Sequence, residues 1–374
     1  MTKVLHLISG GDVGGAKTHV LSLVKELQKH IKVKMICFIK GEFYEDAKAM
    51  GIDIEVLEQK KRYDLSVIND LKKIIEDEGY DLVHSHGARA NFICRFLKSK
   101  LRIPFVTTIH SDFMLDFKGS LYKHLVYTNL NVFALKKFDY YIAVSDNFKD
   151  MLVGRGFSET KIFTVYNGLD FDEEISCMSR EDFLNELGLS HLNDRLLVGI
   201  LARLHPVKGH TVLIKAAAKV LESHKNVDFL LAGDGEEKDN LISLTNTLGI
   251  SDRIHFIGFV NNYDVLNCID INVLTSYSES FPYVLLEGAK FKKPTIASKV
   301  GGIPMLIKDE ENGLLFQSGD SEELSKDLIK LIESNSLRKV LGEKLFEHSS
   351  NNYSLANLAK QHLKIYDNVI SSEK

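Results

Sequence analysis

The chain has no tryptophan, only five prolines among its 374 residues, and four cysteines. The cysteines (Cys37, Cys94, Cys177 and Cys268) are scattered and form no C-x-x-C pair. That excludes a disulfide framework and points to a reduced, cytoplasmic setting. With 44% apolar and 26% charged residues, collagen-like, coiled-coil and disordered chains are excluded too. No stretch reaches the roughly 18–20 uninterrupted apolar residues that span a bilayer. A secretory leader is not expected, because the apolar Val4–Ile8 runs straight into Gly10-Gly11-Asp12-Val13-Gly14-Gly15.

Acidic residues are missing from one segment. None lies between Asp81 and Asp112, where Arg89, Arg95, Lys98, Lys100 and Arg102 fall. Residues 1–170 hold 25 Lys and Arg against 21 Asp and Glu, a net of +4, while the remainder is net −8. A basic segment of this kind suits an anionic ligand or surface, or is simply a solvated helix face.

What is present is an alternation of strand-length apolar runs with helix-length amphipathic ones. Val4–Ser9, Val33–Ile39, Ile52–Val56, Leu82–His84, Phe105–Ile109, Tyr140–Val144 and Ile162–Val165 read as strands. Ala16–Lys29, Leu65–Glu78 and Tyr122–Phe138 read as helices between them. The pattern restarts with strands at Leu196–Ala202, Val227–Ala232, Ile254–Ile257, Ile271–Leu274 and Thr295–Ala297. This predicts an α/β chain of two doubly wound, parallel-sheet domains. The domains expected are 1–170 and 171–352, with a C-terminal helix in 353–374 that covers a sheet or crosses back to the first domain. A ligand is expected in the cleft between the domains, beyond the strand ends.

Several motifs follow strands directly. Gly14 and Gly15 open the first helix, where backbone N–H groups can approach a phosphate. Arg203 and Lys208, five residues apart after the second domain's first strand, suit a diphosphate. In Glu279-Ser280-Phe281-Pro282-Tyr283-Val284-Leu285-Leu286-Glu287, Pro282 begins a helix, so Glu279 lies on the loop before it and Glu287 inside it. Carboxylates so placed read as hydroxyl acceptors at two points along one ligand. His84 and His86 share one side of a strand, and His110 ends the next. Zinc binding by these three competes with simple polar contacts. Asp170-Phe171-Asp172 has the form of a metal-chelating D-x-D, or of two solvated linker acids.

Taken in order, Gly14-Gly15, Thr107-Thr108-Ile109-His110, Ala143-Val144-Ser145, Asn167-Gly168-Leu169-Asp170, Arg203 with Lys208-Gly209, Ala232-Gly233-Asp234-Gly235, Gly258-Phe259-Val260, Glu279–Glu287 and Gly301-Gly302-Ile303-Pro304 form a recognisable series. Over essentially its whole length the chain resembles the retaining nucleotide-sugar glycosyltransferases of family 4 (glycosyl transferase group 1). The resemblance implies a GT-B fold, with two facing Rossmann-like domains. It further implies transfer of a hexosyl or N-acetylhexosaminyl unit from a nucleotide-diphosphate sugar, UDP foremost, in polysaccharide or glycolipid synthesis. Arg203 and Lys208 would grip the diphosphate with the Gly14–Gly15 backbone, and Glu287 would accept from ribose hydroxyls. Glu279 and the Ser280, Phe281, Pro282 and Tyr283 backbone would hold the sugar. Gly258, Val260 and Asn262 would line the base, and His110 would contact the sugar near the reacting carbon. No cofactor or metal would be needed, and the D-x-D would belong to a hinge.

One departure is Pro282-Tyr283, where the family's pattern has glycine and a small aliphatic residue. His84, His86, Arg89, Arg95 and Lys98 mark an acceptor side. Phe92, Ile93, Phe96 and Leu97 interleave with those cations, so peripheral contact with an anionic membrane at the inner face of the cell membrane is expected. The acceptor would be a sugar, a glycan or a lipid-linked molecule. Nucleic acid is not an expected partner. A sugar-nucleotide 2-epimerase of the same fold, a hydrolase using His84, His86 and His110 with zinc, and a non-catalytic sugar-nucleotide sensor are the competing readings.

Overall fold

Strands buried on both faces need helices on each side of their sheet. The computed structural model describes residues 1–12, 14–59, 61, 64–110 and 129–372. It divides into two compact units, Met1–Gly168 with Leu355–Lys374, and Leu169–Ser354.

The first unit contains β1 (Lys3–Ile8), α1 (Gly14–Leu27), β2 (Lys32–Cys37), α2 (Glu42–Ala49), β3 (Ile54–Val56), α3 (Val67–Glu78) and β4 (Leu82–His86). It continues with α4 (Gly87–Lys98), β5 (Phe105–Ile109), α5 (Asn129–Leu135), β6 (Tyr140–Ala143), α6 (Asp146–Gly154) and β7 (Ile162–Thr164). The expected Tyr122–Phe138 helix falls partly outside the described residues. Where it is described, it covers Asn129–Leu135. The seven strands are parallel, in the order β3-β2-β1-β4-β5-β6-β7.

The second unit contains α7 (Arg180–Glu186), β8 (Leu196–Leu201), α8 (His210–Ser223), β9 (Val227–Ala232), α9 (Lys238–Thr247), β10 (Ile254–Gly258) and α10 (Asn262–Cys268). Then follow β11 (Ile271–Leu274), α11 (Tyr283–Lys290), β12 (Thr295–Ser298), α12 (Ile303–Leu306), β13 (Leu314–Phe316), α13 (Ser321–Glu333) and α14 (Asn335–Asn352). Its six parallel strands run β10-β9-β8-β11-β12-β13. Both sheets are the doubly wound, Rossmann-like kind that the alternation predicts.

The last helix, α15 (Leu355–Ser372), packs in the first unit. Its Leu358, Ala359, Tyr366 and Val369 share a core with Val4 of β1 and Leu23 and Leu27 of α1. The opposite face of that sheet buries Leu5, Leu7, Val83 and Phe105 against Leu71, Ile75, Ile93 and Leu97 of α3 and α4. No described helix is long and apolar enough to cross a membrane.

Candidate active site

In an open α/β sheet a ligand lies beyond the strand carboxyl ends, where the strand order reverses. In the second unit that point lies between β8 and β11. Arg203 and the 3-10 turn Pro206–Lys208 follow β8, and Thr275–Glu279 follow β11. Two hydrogen bonds tie these loops together. Thr275 Oγ1 donates to the Lys208 carbonyl at 2.8 Å, and the Tyr277 N–H donates to the Val207 carbonyl at 2.8 Å. Gly209 sits at φ +63°, and a Cβ there would overlap the Thr275 carbonyl, so only glycine permits this approach.

The docking brings Lys208 Nζ to 2.5 Å from Glu279 Oε1. Ser276 Oγ donates to the same oxygen at 2.6 Å. The Glu279 side chain is only 10% exposed. Arg203 is exposed and makes no side-chain hydrogen bond or ion pair with another described residue. The site therefore holds one cation bound to a carboxylate and another open to an incoming anion.

Gly301, at φ +56°, and Gly302 shape the loop that carries Glu279. A Cβ on Gly301 would overlap the Glu279 carbonyl oxygen, and the Gly302 N–H donates to the Ser280 carbonyl at 2.7 Å. Pro282 is the N-cap of α11, as its fixed φ favours at a helix start. Phe281 is buried against Tyr353, ring centroids 4.8 Å apart, so its side chain anchors the loop and leaves ligand contact to the backbone. The Tyr283 hydroxyl is buried without a hydrogen-bond partner among the described residues.

Glu287, one turn into α11, accepts from Asn262 Nδ2 at 3.1 Å. Burial pushes its carboxyl above the ordinary value, and the Asn262 hydrogen bond partly offsets this. Glu287 closes a cavity of about 430 Å³ whose other walls are Phe259, Val260, Asn261, Asn262 and Tyr263. Phe259 stands 93% exposed at its rim. Val260, Asn262 and Glu287 are thus brought together, while Gly258 ends β10 just before the cavity.

In the first unit the order reverses between β1 and β4. Gly14 and Gly15, both exposed, begin α1 beyond the end of β1. The end of β4 carries His84 and His86, which are fully buried at 0% and 1% exposure. They bond to Tyr366, Thr108, His6 and His110. This corrects their expected place on an acceptor-facing surface, since alternation along β4 turns both toward α1 and α15. The group whose nitrogens lie within 4.8 Å of one another is His6, His84 and His86, with His6 where the sequence suggested His110. Asp170 Oδ1 accepts from the N–H groups of Asp172 and Glu173, a local turn in place of a chelating pair.

Residues 13–173 match the family described as Glycosyltransferase Family 4, and residues 188–348 match Glycosyl transferases group 1. The chain belongs to the family 4 glycosyltransferases. This glycosyltransferase is 28% identical, over 83% of its length and 81% of the relative's, to N-acetyl-alpha-D-glucosaminyl L-malate synthase of Bacillus anthracis. It is 26% identical to the UDP-Gal:alpha-D-GlcNAc-diphosphoundecaprenol alpha-1,3-galactosyltransferase of Escherichia coli, over 73% of each chain. In fold it is similar to Anabaena Alr3699/HepE, solved with UDP and with UDP-glucose. The TM-score is 0.81, covering 98% of this chain and 100% of that one, at 22–23% identity.

In the glycosyltransferase the basic segment is largely α4. Arg89 Nε donates to Gln59 at 2.7 Å, Arg95 bonds to the Phe133 carbonyl and stacks on its ring, and Lys98 pairs with Asp139 at 2.7 Å. Leu97 is fully buried, and Phe92 and Phe96, half-buried, pack on the core. Lys100 and Arg102 remain exposed, with no side-chain partner among the described residues. Sequence reasoning missed Ser276 and Tyr263. Ser276 lies in a Ser- and Tyr-rich loop with no motif, whereas Tyr263 had a signal in following Gly258–Asn262 directly.

Proposed function

We propose that this glycosyltransferase moves a hexosyl or N-acetylhexosaminyl unit from a UDP-sugar to an acceptor, with retention and without a metal. The observation that carries this reading is the Lys208–Glu279 ion pair at the switch point of the second sheet, with Arg203, exposed and without a side-chain partner among the described residues, in the same loop after β8. Breaking the anomeric C–O bond leaves negative charge on the diphosphate and positive character on the ring. Arg203 and Lys208 would stabilise the diphosphate where that charge develops, which is commonly the largest catalytic contribution. Glu279 would accept from sugar hydroxyls and Glu287 from ribose hydroxyls, with Phe259 offering a ring face to the base. His110 keeps the role given by the resemblance, contact with the donor sugar. The departing phosphate oxygen takes the acceptor's proton as the new bond forms on the same face. The names of the two curated relatives support an N-acetylhexosaminyl or hexosyl donor, and the HepE complexes support UDP.

A thermal-shift panel of UDP, GDP, ADP and their sugars, with EDTA throughout, tests the donor. UDP at 100 times its dissociation constant should add about 2.7 kcal/mol of stability. Arg203→Ala should lose most of that shift. A shift that requires added metal, or persists undiminished in Arg203→Ala, would reject the reading.

The acceptor side is proposed to meet an anionic surface through Lys100 and Arg102, which points to a lipid-linked acceptor in polysaccharide or glycolipid synthesis. Binding to vesicles should rise with their anionic lipid content and fall with salt. Equal, weak binding to neutral and anionic vesicles would reject the membrane contact alone.

A further inference from the structure

Six histidines meet inside the first unit: His6 from β1, His19 from α1, His84 and His86 from β4, His110 after β5, and His362 from α15. Their ring nitrogens are not simply crowded together. His110 Nε2 lies 3.3 Å from His86 Nδ1, and His86 Nε2 lies 3.0 Å from His6 Nδ1. His6 Nε2 lies 3.4 Å from the Tyr366 hydroxyl, which is 2.7 Å from His84 Nδ1. His84 Nε2 then reaches Thr108 Oγ1 at 2.8 Å. Each nitrogen is used once, so these contacts form one unbranched path from Thr108 to His110.

A neutral imidazole has one N–H and one lone pair, so it must donate on one side and accept on the other. Burial pushes His6 down to about 3, and His84, His86 and His110 well below the ordinary value, so all four are neutral near pH 7. The direction of one link then fixes every other. Tyr366 has a single proton, and its short contact is to His84 Nδ1. A phenol donating to an imidazole nitrogen is the stronger pairing, so the Tyr366 oxygen accepts from His6 Nε2–H. His6 Nδ1 accepts from His86 Nε2–H, and His86 Nδ1 accepts from His110 Nε2–H. His110 is left with an unprotonated Nδ1, the state that accepts a hydrogen bond from a sugar hydroxyl.

We propose that His86, His6, Tyr366 and His84 are positioning residues that fix His110 as its Nε2–H tautomer. The proposal rests on the reading of His110 as a donor-sugar contact, and extends it to four residues that never touch substrate. A metal in the His6, His84 and His86 group is the competing use of these nitrogens. It would take one nitrogen from each of these rings, so the path would lose the links those nitrogens make, and it would place a divalent charge among three neutral ligands in a fully buried site.

The test is side-chain ¹⁵N NMR of the histidine-labelled full chain near pH 7, with the His110 signal assigned by its loss in His110→Gln. The wild type should show His110 protonated at Nε2. Tyr366→Phe, which removes only the hydroxyl, should shift His110 toward the other tautomer. The same variant should lower kcat about 10–100-fold with the donor KM unchanged, by analogy with the loss on removing a partner that orients a metal-ligating histidine. Should Tyr366→Phe fold poorly, Thr108→Val cuts the far end of the path, and Thr108→Ser should restore the wild-type pattern. His110 protonated at Nδ1 in the wild type, or unchanged by both cuts, would overturn the proposal. So would one equivalent of zinc binding and displacing the histidine N–H signals. If the tautomer shifts while kcat does not, the chain stands and the assignment of His110 to the sugar falls.

Discussion

Lys208→Ala should cut glycosyl transfer by about 10²–10³-fold, the usual loss for one group that stabilises developing charge, and should weaken UDP binding as well. Two effects act together. The variant removes a cation from the diphosphate site, and it leaves the Glu279 carboxylate, 10% exposed, with Ser276 as its remaining side-chain partner. A buried carboxylate stripped of its counter-ion repels an incoming diphosphate. Arg203→Ala should be milder, because Arg203 is exposed and its loss strands no acid. The double variant Lys208→Ala/Glu279→Gln should therefore bind UDP about tenfold better than Lys208→Ala alone, a recovery of about 1.4 kcal/mol. Calorimetric titration with UDP separates the cases. Equal affinity in the single and double variants would mean that the ion pair does not belong to the donor site.

Much of the architecture was legible because a parallel sheet writes itself as apolar runs separated by amphipathic helices. Phe105–Ile109 and Ile271–Leu274 were readable to the residue for that reason. β13, only Leu314–Phe316, is too short to stand out from loop sequence. α14 was missed because over 18 residues it buries only Leu341, Gly342, Leu345 and Ser349, which leaves little apolar periodicity to read. At the site, residues with local signatures were found: Arg203 and Lys208 after a strand, and Glu279 and Glu287 around a helix start. Their partnerships were not. Lys208 and Glu279 are 71 positions apart, and only the strand order brings them together. Alternation showed that His84 and His86 share a face, but not that the face is covered. The cover is Tyr366, 282 residues from His84, and a buried tyrosine on an amphipathic helix carries no sign of its partner.

The histidine cluster should also make the first unit acid-labile well above the pH at which carboxylates titrate. Burial holds His6 and His362 at about 3 and His19 at about 4, whereas each returns to about 6.5 when unfolded. Below pH 6.5 the unfolded chain therefore binds protons that the native fold refuses, so stability falls as pH falls, until the native values near 3–4 are reached. Each such group removes about 1.4 kcal/mol per pH unit, and these three together about 4. His84, His86 and His110 are shifted in the same direction. A domain stability of about 5–15 kcal/mol is then exhausted within a few pH units of neutrality. The second unit has one strongly shifted histidine among its described residues, His210 at about 4, so it should outlast the first. Calorimetry between pH 7.5 and 5.5 should show one transition moving down steeply and another nearly fixed. His362→Leu removes one titrating group, together with a buried Nε2 that has no partner among the described residues, and should reduce the loss of stability between pH 7.5 and 5.5 by about 1 kcal/mol. A first transition indifferent to pH over that range would mean that the cluster takes up protons without unfolding, and its neutrality could no longer be argued from burial.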